Sequence, residues 1–98
     1  MTSAPSLPNL HDATLLRVQA EWAGGIAAIE LERAPGVVVI VTARGLREFS
    51  MTRRHEWGPS VSVNGAEIDT SDSGEYSLTI EMQSGDKIVV RAERLDVA

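Results

Sequence analysis

Tyr76-Ser77-Leu78-Thr79-Ile80-Glu81-Met82-Gln83 alternates without a break. Tyr76, Leu78, Ile80 and Met82 fall on one side, and Ser77, Thr79, Glu81 and Gln83 on the other. Successive side chains of a strand point to opposite faces, so an extended backbone gathers these four apolar groups on one surface. Ser84-Gly85-Asp86 then supplies turn residues, and residues 87–93 repeat the pattern with Ile88, Val90 and Ala92 inward. Upstream, Asp72-Ser73-Gly74 forms another turn. The centre of this stretch therefore predicts an antiparallel pair with one face in the core.

The same punctuation continues toward the N-terminus. Val61-Ser62-Val63, Asn64-Gly65 and Ala66-Glu67-Ile68 read as two short strands joined by a two-residue hairpin. Trp57-Gly58-Pro59-Ser60 reads as a corner, because Pro59 lacks an amide donor and restricts Gly58. Gly45 separates a strand over residues 46–52, with Phe49 and Met51 on one face, from Val37-Val38-Val39-Ile40-Val41-Thr42. That second run is β-branched throughout, which stiffens χ1 and suits a pleated surface. Being apolar on both faces, it is expected in the middle of the sheet and covered on both sides. Pro35-Gly36 turns the chain back to residues 26–33, where Ala27, Ile29 and Leu31 alternate with Ala28, Glu30 and Glu32. Gly24-Gly25 marks a further hairpin. Before it, Leu16, Val18, Ala20 and Trp22 share a face opposite Arg17, Gln19 and Glu21. Several of these residues favour helix, but the period of two and the following glycines favour a strand.

The expected fold class is all-β, or β-rich α+β with at most one short helix near Ser60 or in the N-terminal arm. About seven short strands with turns every eight to twelve residues suit an antiparallel sandwich, roll or barrel. Residues 1–9, with Pro5 and Pro8, read as a flexible arm, and residues 10–98 as a single β domain.

Composition narrows the chemistry. Ninety-eight residues with 43% apolar content are enough for one hydrophobic core. The absence of cysteine removes disulfides, thiolate nucleophiles and Cys-ligated metals. The first residues lack the basic and apolar regions of a signal peptide, and no apolar run is long enough for a membrane helix, so the expected location is cytoplasmic. A net charge of −5 argues against nucleic acid as a partner. Charge is also segregated. Residues 33–54 carry Arg33, Arg44, Arg47, Arg53 and Arg54 against Glu48, and residues 56–86 carry seven acids and no base. Such blocks attract each other across a fold or a dimer, or simply cover two solvated hairpins.

No catalytic set assembles from the sequence, and no cofactor or metal is implied. His11-Asp12 and His55-Glu56 each place a titratable pair side by side. Neighbours in an extended chain point apart, so each is expected to tie backbone rather than share a substrate. A small metal-dependent hydrolase built on His11, Asp12 and His55, with Ser60, is the alternative; Ser60 lacks the flanking glycines of a nucleophile elbow. Arg53-Arg54-His55 before Trp57 reads either as an anion grip or as a solvated strand end. Trp22 and Trp57 are core fillers, unless one is exposed beside the arginines and marks an interaction surface. Gln83-Ser84-Gly85-Asp86 is either a recognition loop or turn chemistry.

The chain resembles a family of small, uncharacterised bacterial β domains. The resemblance rests on Leu10-His11-Asp12-Ala13, on Trp57-Gly58-Pro59-Ser60 with Asn64, and on Glu81-Met82-Gln83-Ser84-Gly85-Asp86, and covers most of residues 10–93. It implies that His11, Asp12, Trp57, Ser60, Asn64, Gln83 and Asp86 are distinctive positions, for folding or for binding. The His-Asp-Ala opening is similar to that of some immunity proteins of bacterial toxin systems. The expected function is a non-enzymatic binding or protein-interaction module, immunity-like in one form, with a protein partner or a homodimer. A self-associating structural β protein is the other alternative.

Overall fold

A computed structural model of the chain describes residues 6–54 and 61–98. It contains β1 (Thr14–Glu21), β2 (Ile26–Ala34), β3 (Val37–Met51), β4 (Val63–Thr70), β5 (Tyr76–Met82) and β6 (Lys87–Val97). All six lie in one antiparallel sheet with the order β1-β2-β3-β6-β5-β4. No helix occurs among the described residues. The all-β antiparallel class is as the sequence leads one to expect.

The described residues form six strands rather than about seven, for two physical reasons. Gly45 does not end a strand. At φ 65° it stays inside β3, next to a register shift between Leu46 and Glu48, and bends the strand. Residues 37–44 pair with β2 and residues 41–51 with β6, so one long strand serves both halves of the sheet. Asn64-Gly65 does not form a hairpin either. Gly65 is absent from the positive-φ glycines, and β4 runs straight through it with the register shifting between Val63 and Gly65. Asn64 is the extra residue of a bulge, and the whole of β4 pairs with β5. The turns at Gly24-Gly25, Pro35-Gly36, Asp72-Ser73-Gly74 and Ser84-Gly85 fall where expected.

The sheet coils back on itself. The Leu15 amide donates to the Val61 carbonyl (2.7 Å), Val63 to Ala13 (2.8 Å) and Asp12 to Val63 (2.8 Å), around a Thr14–Ser62 bridge. The two outermost strands of the order thus meet over a three-residue seam, residues 13–15 against 61–63. Between the halves sits one core: Ala27, Ile29, Leu31, Val39 and Val41 from one side, and Leu78, Ile80, Ile88, Val90 and Ala92 from the other. Fully burying side chains such as Ile29, Leu31, Ile80 and Ile88 contributes about 1.5–3 kcal/mol each.

Two predicted faces differ from expectation. In β1 the register shifts between Leu15 and Arg17, so Leu15 and Val18 pack against the core while Leu16 is half exposed. Trp22 keeps the parity of Val18 but opens the turn beyond the end of the core, and it is 98% exposed. In β3, Val39 and Val41 are buried, whereas Val37, Val38 and Ile40 are exposed. This strand is central, but Val38 and Ile40 lie on a face over which no second layer packs among the described residues, and Val37, on the parity of Val39, is exposed where the strand leaves the β2–β3 turn.

Candidate functional site

The seam brings together residues far apart in sequence. Asp12 has φ 67°, a left-handed conformation that aspartate tolerates better than most residues. This turn overrides the extended-chain expectation that His11 and Asp12 point apart: His11 Nε2 lies 3.6 Å from Asp12 Oδ2. His11 Nδ1 lies 2.7 Å from the Asn64 carbonyl oxygen, which can only accept, so Nδ1 carries the proton. Gln83 Nε2 donates to Asp12 Oδ1 at 2.5 Å, and Asn64 Nδ2 donates to Glu81 Oε1 at 2.7 Å. His11, Asp12, Asn64 and Gln83 therefore form one exposed polar cluster over the junction of β1, β4 and the β5–β6 turn. They fasten the entry of β1 to its neighbours. Among the described residues, no group of three or more His, Asp or Glu is arranged to hold a metal ion.

Asp86 does different work. It is 7% exposed, and its Oδ1 accepts from Thr52 Oγ1 (3.1 Å) and from the Arg54 amide (2.7 Å). Its Oδ2 accepts from the buried Ser84 hydroxyl at 2.8 Å. Burying a carboxylate is costly unless its oxygens are met by donors, and here donors meet both. The QSGD turn thereby clasps the chain leaving β3. Arg54 enters through its backbone, and Arg53 borders a hollow with Leu15, Val18, Met51 and Ile88. Trp57, Ser60, His55 and Glu56 lie outside the described residues.

Among the described residues no ion pair joins the two charge blocks. Arg44 pairs with Asp96 at 3.6 Å, Arg47 with Glu93, and Glu48 with Arg91 at 3.5 Å, all across the β3–β6 ladder. These pairs are half exposed, so each contributes at most about 1 kcal/mol.

The sequence did not single out the surface at the β1–β2 tip as a site, although it carries the largest exposed apolar group among the described residues. Trp22 borders a hollow of about 370 Å³ with Ala20, Glu21, Gly25, Leu46, Arg47, Glu48 and Phe49. Leu46 and Phe49 are partly buried against the core, so the floor is apolar and the rim charged. Parity alone places Trp22 with Val18 and Ala20; it escapes burial because it opens the β1–β2 turn, past the last residue pair of the β1–β2 ladder.

The molecule is thus a small antiparallel β roll with a three-residue seam. Its shape is shared with a crystal structure of an uncharacterized protein from Neisseria gonorrhoeae, at a TM-score of 0.68. The likeness covers 92% of this chain and 94% of that one at 13% identity, which establishes the fold in common. No family model and no curated protein matches the chain. No helix among the described residues is long and apolar enough to cross a membrane.

Proposed function

We infer that this protein is a non-enzymatic protein-interaction module, and that the β1–β2 tip is its anchor. The observation that carries this reading is Trp22, an indole 98% exposed beside the hollow over Leu46 and Phe49. Tryptophan buries some 150–250 Å² when covered, so leaving it in water forgoes a large driving force that a partner recovers on docking. Tryptophan and arginine lead the residues that dominate interface energies, and Arg47 lies on the rim of the same hollow. The acidic balance of the chain favours a partner with a basic surface, as for an immunity-like inhibitor, and speeds encounter with it.

The test is site-specific photocrosslinking in cells of the source organism. A photoreactive phenylalanine analogue at position 22 should give one discrete protein adduct, and the same probe at Arg33 near the end of β2 should not. Absence of an adduct at position 22, or identical products from both positions, contradicts this assignment.

A further inference from the structure

Away from the seam, no described strand pairs with the outer side of β4, which ends the sheet order. The Ser71 amide donates to Glu75 at 2.8 Å, extending the register that pairs Asp69 with Ser77 and Glu67 with Thr79. Backbone groups of alternate residues face opposite sides in an antiparallel ladder. Gly65, Glu67 and Asp69 therefore turn their N–H and C=O groups to β5, and Ala66, Ile68 and Thr70 turn theirs outward. The seam reaches only as far as Val63. Three donors and three acceptors in strand geometry are thus presented along one line.

The side chains beside this line are sorted by face. Ala66 and Ile68 are half-buried and pack against the core. Glu67 and Asp69 are exposed on the other face, opposite uncharged Thr79 and Ser77. On the β1–β2 and β3–β6 ladders four outward acids are matched by arginines: Glu30 with Arg17, Glu48 with Arg91, Glu93 with Arg47, and Asp96 with Arg44. Glu67 and Asp69 have no ion-pair partner among the described residues. A second copy pairing edge to edge would set these acids against each other, and like charges across strands are destabilising.

We propose that the free edge of β4 accepts an extended segment of a partner protein in which basic and apolar residues alternate. The added strand bonds to the outward groups of Ala66, Ile68 and Thr70. Its apolar residues cover Ala66 and Ile68, and its basic residues lie beside Glu67 and Asp69. This deepens the interaction reading by naming a partner chemistry. It uses a surface separate from Trp22, at the other end of the strand order, so the two fail independently.

The probe is the peptide Lys-Val-Lys-Val-Lys-Val-Lys, with a blocked control of the same composition, Lys-Lys-Lys-Lys-Val-Val-Val, added to the full chain. Amide exchange is read residue by residue by NMR. The alternating peptide should slow exchange at Ala66, Ile68 and Thr70 by about tenfold or more, while the blocked peptide leaves them within about twofold. Glu67→Lys with Asp69→Lys should abolish this and transfer it to a Glu-Val alternating peptide, and Trp22→Ser should leave it unchanged. Equal effects of both peptides would show charge attraction without strand addition and overturn the proposal. So would no slowing at all, since the acids would then serve only to keep strands away.

Discussion

Gln83 Nε2 donates to Asp12 Oδ1 at 2.5 Å, joining two residues seventy-one positions apart. That contact, with the His11 ring on the Asn64 carbonyl, locks β1 onto the far end of the sheet order. Asp12 answers two demands at once, a left-handed backbone and an acceptor for Gln83. Asp12→Asn meets both and should change stability by less than about 0.5 kcal/mol. Asp12→Ala meets neither and should cost about 1–2 kcal/mol in urea unfolding. Equal costs for the two would remove the seam cluster as a structural device.

Asp86 should be the most sensitive polar position described. Asp86→Ala strands the Arg54 amide and the Thr52 and Ser84 hydroxyls, two of these three residues lying just beyond the end of β3. A loss of about 1–3 kcal/mol is expected, because the Ser84 hydroxyl is buried and an unmet buried group costs more than a hydrogen bond gains. The measurement is denaturant unfolding, with faster amide exchange at Arg54 as the local signature.

Gly45 is constrained twice. A Cβ there would sit 2.9 Å from the Cβ of Glu93, an atom fixed by its own backbone, and φ is 65°. Gly45→Ala should therefore destabilise by about 2 kcal/mol or more. Gly65→Ala meets open space and has an ordinary φ, so it should be tolerated or slightly stabilising. Thermal melts of the two variants check this contrast.

Trp22→Ser should leave folding stability within about 0.5 kcal/mol of the parent, since the indole is 98% exposed and contributes little to the core. Ile80→Ala, at 0% exposure, should cost about 2–5 kcal/mol. A large cost at Trp22 would mean that this side chain is held by the fold and does not stand free as an anchor.

Much of the fold is legible in residue alternation. β2, β5 and β6 bury the residues their patterns name, because each runs without a bulge through the segment that meets the core: Ala27, Ile29 and Leu31; Leu78, Ile80 and Met82; Ile88, Val90 and Ala92. Bulges are what a period of two cannot show. One extra residue at Leu16 moves the phase of β1, one at Arg47 lets β3 bend through Gly45, and one at Asn64 turns a hairpin signal into a kink. The polar residues of the site are legible as residue types only. That His11, Asp12, Asn64 and Gln83 meet depends on a seam between the first strand and the fourth, and no local pattern encodes that contact. Trp22 reads as core from parity, and only the length of the core beneath it decides otherwise.

Residue-resolved amide hydrogen exchange on the native chain compares the closed part of the roll with its open edge in a single measurement. Leu15 and Val63, which donate across the seam, should exchange slowly, while Ala66, Ile68 and Thr70 exchange near the rate of unstructured peptide. Fast exchange at Leu15 and Val63, or strong protection along Ala66, Ile68 and Thr70, would contradict a sheet joined at that seam and free along β4.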